Sequence, residues 1–330
     1  MASASARAAR PWFCCIGIVF AGLGALFLAV QAYVLGSWVL SPDFRPTPLG
    51  TDPLPVNIKT ILDHYQTAAI VIGTAALLWF IQGIARTGRI DKWRLLMLGW
   101  LSAYWLDPWL DFLRPMFTYN SYMFNRGCWC RFIPFWQSPA GDRIAEPLII
   151  VGSAYFWNFA LACLIACAAM RWARNSRHNA SWTVTILSGY VAIWATMSML
   201  DLAATRFMGF DAWPIATRAM TFWAGRPYQF PIYEFVLFPS QFVACGLVMM
   251  SAESRTGLTL IESGLERFRG AAQTGARILA FVALCNLSNL IYTTAIGTYA
   301  RVGDGYPTHM PSWLADQQCG PQTGIACKAP

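Results

Sequence analysis

Long apolar runs alternate with short polar connections along most of this chain. Seven of the runs reach or approach the roughly 20 residues that a helix needs to cross a bilayer core. They cover approximately residues 13–40, 67–84, 95–113, 146–170, 181–204, 234–250 and 276–299. The pattern predicts an all-α fold, a polytopic membrane helical bundle of about seven transmembrane helices in one integral domain. Residues 1–11 are then a cytoplasmic N-terminus, 13–300 the bundle and 301–330 a polar C-terminal tail. The first run follows Arg7 and Arg10. It is longer than the roughly 7–15 apolar residues of a signal-peptide core, so it is read as a retained anchor. Outer-membrane barrels lack such runs, because their strands alternate apolar and polar residues.

Composition strengthens this picture. Of 330 residues, 56% are hydrophobic and 12% charged, against roughly 25% charged in a soluble domain. Mean hydropathy is +0.43. The net charge of +8 comes from 24 basic and 16 acidic residues. The basic residues crowd into connections between runs: Arg86, Arg89, Lys92 and Arg94; Arg171, Arg174 and Arg177; Arg255, Arg267, Arg269 and Arg277. That distribution is a topology signal rather than a nucleic-acid footprint, and it predicts a cytoplasmic N-terminus and an outer C-terminus. Membrane lipid is therefore an expected partner and nucleic acid is not. Residues 41–66, with Pro42, Pro46, Pro48, Pro53 and Pro55, predict a non-helical loop. Leu258, Ile261, Leu265 and Phe268 recur at helical spacing and predict an amphipathic interfacial helix over 256–269. No internal repeat supports an inverted-repeat transporter.

Carboxylates carry the candidate chemistry. Asp107 and Asp111 end the third run, Glu146 opens the fourth, Asp201 closes the fifth and Glu234 opens the sixth. In a seven-span topology all five share one side of the membrane. Acids at that depth usually face an internal cavity. Desolvation and like charges hold some of them protonated beside others that stay ionised, which is the equipment of general acid–base catalysis. Two plainer readings stand beside this one. Glu146-Pro147 is also a helix-start signal, and Arg114, Arg143, Arg206 and Arg226 are available to neutralise the acids. Asp107 and Asp111 lie four apart, on one helical face. They match the DxxxD pattern of membrane prenyltransferases, but no second acid-rich motif accompanies it.

Aromatic residues crowd the same side: Tyr104, Trp105, Trp109, Phe117, Tyr119, Tyr122, Trp129, Phe132, Phe135, Trp136, Trp223, Tyr228, Phe230 and Tyr233. They fit an interfacial belt, or a pocket for an apolar substrate that stabilises positive charge. His64, His178 and His309 have no paired-ligand spacing, so no metal site is expected. Lysine is absent from the runs, which excludes a retinal Schiff base. No phosphate loop or nucleophile elbow occurs, and no cofactor is implied. Cys14, Cys15, Cys163, Cys167, Cys245 and Cys285 read as packing residues within the runs. Cys128 and Cys130 lie on the same side as Cys319 and Cys327, so disulfides would tether the tail over the third loop in either of two connectivities.

Several stretches between about 97 and 300 resemble the AveC-like spirocyclase family: Tyr104-Trp105 with Asp107-Pro108; Phe117-Thr118-Tyr119-Asn120-Ser121-Tyr122; Ile133-Pro134, Trp136 and Ser138-Pro139; Glu146-Pro147-Leu148; and Tyr228-Gln229-Phe230-Pro231 with Tyr233-Glu234. The resemblance implies a membrane-embedded, cofactor-free cyclase that closes a dihydroxy-ketone of polyketide type into a spiroketal. On that reading Asp107 and Glu234 form the acid–base pair, Glu146 and Asp201 support it, and Asp111 is a further candidate. Tyr119, Asn120, Tyr228 and Tyr233, with Trp105 and Trp109, bind the substrate. The alternatives from other classes are a non-catalytic transporter or lipid-binding protein, and a membrane terpene cyclase.

Overall fold

The structure is a computed structural model that describes residues 15–176, 180–253, 257–307 and 309–315. Arg7, Arg10, Arg177, Arg255, Cys14, His178, Cys319 and Cys327 lie outside the described residues. The main helices are α1 (Ile16–Val39), α2 (Val56–Thr87), α3 (Lys92–Ala103), α4 (Ile150–Ser176), α5 (Trp182–Met208), α6 (Glu234–Met250) and α7 (Gly270–Tyr299). The fold is all-α apart from two ladders of two-residue strands.

The expected seven spans are not all present as such. Among the described residues, α1, α2, α4, α5 and α7 are long and apolar enough to cross a membrane. The α6 helix has 17 residues and α3 only 12. The third apolar run fails as one long helix because Pro108 falls inside it. Proline lacks the amide donor, and its ring crowds the carbonyl four residues back. The chain tightens instead into a 3-10 stretch over Tyr104–Asp111. The second helix begins earlier than expected, at Val56 directly after Pro55, so the non-helical part of the proline-rich loop ends there.

The outer helix α2 exposes Ile70, Val71, Leu77, Leu78 and Ile81, an apolar face suited to lipid. The core gathers around α3, α4, α6 and α7, with Trp100, Phe242 and Phe281 fully buried. Small residues let helices approach closely where no hydrophobic effect drives them together. A Cβ on Gly24 would strike the Leu279 backbone, which is how α1 lies against α7.

Residues 257–269 hold two 3-10 turns, Leu260–Glu262 and Leu265–Arg267, not the expected amphipathic helix. Local polar contacts win there. Thr259 N and its hydroxyl donate to Glu262 Oε2 at 2.9 and 2.8 Å. Gly264 then turns the chain at φ 84°. The cysteine expectation is also corrected. Cys128 bonds to Cys130, not to the tail, with Cα atoms 5.2 Å apart, a separation that disulfide geometry accepts.

Candidate active site

Asp107 projects from the 3-10 stretch at the end of α3. The stretch is held by Asp111, whose Oδ1 accepts the amides of Met116 at 2.6 Å and Phe117 at 2.7 Å. That turn leads directly into strand β1 (Thr118–Tyr119), which pairs antiparallel with β2 (Asp211–Ala212). The ladder sets Tyr119 opposite Asp211. Tyr119 Oη donates to Asp107 Oδ2 at 2.8 Å. The other oxygen, Oδ1, accepts from Tyr155 Oη at 2.7 Å.

Tyr155 sits in a π-helical turn, Ala154–Asn158, that interrupts α4. Such turns re-aim side chains and recur at functional sites. Asn289 of α7 stands beside the Tyr155 hydroxyl, with its Oδ1 at 3.4 Å. Its Nδ2 donates to Ala103 O at 3.2 Å and to Tyr155 Oη at 3.1 Å. Tyr155 thus accepts from Asn289 Nδ2 and donates to Asp107, the nearer acceptor.

Three more acids belong to the site. Glu234 opens α6, and its Oε1 accepts from Tyr292 Oη of α7 at 2.6 Å. Its Oε2 is buried with no partner among the described residues. Asp201 lies between two π-helical turns of α5. Asp211, which follows α5, takes the Thr205 hydroxyl on Oδ1, while its Oδ2 is buried without a partner among the described residues.

Asp107, Asp201, Asp211 and Glu234 line one cavity. Its remaining wall is mostly apolar and aromatic, with Tyr65, Phe117, Phe159, Phe210, Trp213 and Phe238 among the lining residues. Among the described residues, no Lys, Arg or His lines it. None of these four carboxyls is ion-paired among the described residues. Burial, and then the neighbouring Asp201 carboxyl, hold Asp211 well above the usual carboxylate range, against the pull of the Thr205 hydroxyl. Burial, followed by the Asp107 and Glu146 carboxyls, pushes the Tyr119 hydroxyl well above its ordinary value. Tyr119 therefore keeps its proton and donates it to Asp107.

Of the residues that the sequence singles out, Asp107, Asp201, Glu234 and Tyr119 meet in this cavity. The others stand outside its lining. Glu146 is buried nearby, within electrostatic reach of Tyr119. Asp111 serves the backbone turn, which leaves the DxxxD pair in two different settings. Asn120 donates to Gly209 O at 2.8 Å and accepts from Tyr122 N at 3.0 Å, so it shapes the loop. Trp105 and Trp109 tie the 3-10 stretch to α7 through Asn286 and Thr294, both at 2.9 Å. Tyr233 stacks on Tyr299 at 4.0 Å, and Tyr228 lies under Arg206 at 4.0 Å. Arg206 is thus engaged by aromatic faces, and Arg114 by Ala300 O at 2.7 Å. Among the described residues, no group of three or more His, Cys, Asp or Glu is placed to hold a metal ion.

Sequence reasoning missed Asp211, Tyr155, Tyr292 and Asn289. Topology offered a signal for Asp211, which lies in the connection between the helices that carry Asp201 and Glu234. Its burial depends on the ladder with β1, which two residues of strand do not announce.

Fold and site together define a bundle of membrane-span helices enclosing an acid-lined, aromatic chamber. The chain belongs to the Spirocyclase AveC-like family, whose pattern matches residues 87–318. No curated protein and no solved structure matches the chain. All four cavity carboxyls lie inside the family match, whereas α1 and almost all of α2 lie outside it. Membership supports a cyclase role in polyketide biosynthesis.

Proposed function

We propose that this protein is a membrane-embedded cyclase that closes a lipophilic dihydroxy-ketone into a spiroketal by acid–base catalysis. The observation that carries this reading is the set of four carboxyls in one aromatic cavity without a compensating cation among the described residues. Burying acids without cations is costly, and such clusters mark chemistry more often than structure.

The reaction suits those groups. One hydroxyl adds to the ketone to give a hemiketal. An acid protonates the hemiketal hydroxyl, the carbon–oxygen bond breaks toward oxygen, and water departs. A flat oxocarbenium ion remains. The second hydroxyl attacks it, and a base accepts that hydroxyl's proton. One water is lost, nothing is oxidised or reduced, and no cofactor is needed.

Asp107 is the base, since Tyr119 and Tyr155 both direct protons toward it and hold it in place. The acid is Glu234, which lines the same cavity with Asp201. Their charge, and the faces of the aromatic residues, stabilise the cation. The apolar lining binds the chain of the substrate and keeps water away from the ion. Holding both hydroxyls near one carbon supplies the proximity that ring closure requires.

The test is incubation of the purified, lipid-reconstituted protein with a dihydroxy-ketone. Loss of one water with formation of a single stereoisomer supports the reading. Unchanged ketone together with pH-dependent uptake into vesicles would establish a transporter instead. Turnover of an allylic diphosphate would establish a terpene cyclase.

A further inference from the structure

Spiroketal closure places its departing and its attacking oxygen on the same carbon. The proton donor and the proton acceptor must therefore be neighbours, within the reach of one substrate atom and its substituents. The β1–β2 ladder brings Asp211 into the cavity that Asp107 lines. Residues directly opposite in an antiparallel pair project on the same face, with Cβ atoms about 4.5–5.5 Å apart. Tyr119, whose hydroxyl rests on Asp107, is directly opposite Asp211.

Asp211 is 1% exposed. One oxygen is held by the Thr205 hydroxyl. The other is buried without a partner among the described residues, and the residue lines the cavity. Glu234 is held differently: Tyr292, on the neighbouring helix, donates to its Oε1, and it has no strand contact with the Asp107 station.

We infer that Asp211 is a catalytic residue of the proposed closure and hands its proton from Oδ2 to the departing hydroxyl. The inference rests on the cyclase reading and moves the donor role from Glu234 to a residue in the loop. The hemiketal carbon–oxygen bond breaks, its electron pair stays on oxygen, and that oxygen leaves as water with the Asp211 proton. The second hydroxyl then bonds to the carbon, and its proton passes to Asp107. The proton returns from Asp107 to Asp211 through the released water, so the cycle carries no net proton. The raised proton affinity of Asp211, set by its burial and by Asp201, agrees with a donor role.

The experiment compares two substrates on the full-length protein. One is the dihydroxy-ketone. The other is a mixed ketal of the same skeleton with a nitrophenoxy group in place of the hemiketal hydroxyl, which departs without being protonated. Asp211→Asn should lower turnover of the ketone by about 10²–10⁴-fold, the usual contribution of general acid catalysis, and turnover of the ketal by less than about threefold. Equal losses on both substrates would make Asp211 structural and overturn the inference, as would undiminished turnover of the ketone. Thr205→Val carries the same test if the first variant does not fold: it leaves the carboxyl in place but unheld, so its smaller loss should again be confined to the ketone. A wild-type protein that converts neither substrate refutes the cyclase reading itself, and the inference falls with it.

Discussion

The bundle treats two groups of buried acids in opposite ways: Glu262, like Asp43 with Arg131, is ion-paired, whereas among the described residues the cavity acids are not. Glu262 is fully buried, and Arg277 Nε meets its Oε1 at 2.6 Å while Thr259 occupies its Oε2. Nearby, Asp91 caps α3 and pairs with Arg94. Asp107, Asp201, Asp211 and Glu234 instead share a cavity with no cation on its walls among the described residues. The first arrangement is what structure alone requires, because a buried charge without a partner is expensive. The second retains that expense. Its acids are met by hydroxyls, at Tyr119, Tyr155, Thr205 and Tyr292, which orient a carboxyl without neutralising it. A chamber built this way favours a passing cation, and the oxocarbenium ion of ketal closure is one.

The largest expected effect comes from removing an acid of the unpaired group. Asp107→Asn should reduce kcat by about 10²–10⁴-fold, the range for loss of a general base, with thermal unfolding close to that of the wild type. Steady-state turnover and a melting curve on the same preparation check this. Full activity would move the chemistry away from Asp107.

The paired group should respond the other way. Arg277→Met leaves Glu262 buried and unpaired, which costs about 3–5 kcal/mol of stability. Denaturant unfolding should show the loss, while the protein that remains folded keeps its kcat. A catalytic defect without a stability defect would erase the contrast between the groups.

Tyr155→Phe is a finer cut. It deletes one of the two hydroxyls on Asp107 without changing the ring. A hydrogen bond to a charged group contributes about 1.5–3 kcal/mol, or roughly 10–100-fold, and the loss should appear in kcat rather than in KM.

The smallest effect concerns pH. The proton affinity of Asp211 is higher in the folded protein than in the unfolded chain. Stability from that group is therefore fully present below the usual carboxylate range and declines as pH rises toward the folded value. Asp211→Asn should flatten this decline, so the variant gains melting temperature relative to wild type as pH increases. A parallel pH dependence in the two proteins would contradict the assignment.

Much of this architecture was legible in advance. Long apolar runs announce helices, and the spacing of acids at run ends groups Asp107, Asp201 and Glu234 on one side. The failures have physical causes. Apolarity continued through Pro108, so the third run read as a full span although proline converts its second half to 3-10 helix. Periodicity over 256–269 outweighed the local bonds between Thr259 and Glu262. Asp111 looked equivalent to Asp107, yet two backbone amides claim it. Tyr155 and Asp211 were hidden because a π-turn and a two-residue ladder deliver them, and neither leaves a hydrophobic pattern.

The most direct measurement is a pair of dissociation constants on the wild-type protein, for a spirocyclic ammonium ion and for its neutral ether isostere. If the unpaired carboxyls stabilise a cationic transition state, the ammonium should bind at least about 100-fold more tightly, as transition-state mimics do. Equal affinities would mean that the cavity does not favour positive charge, and the account of its acids would be wrong.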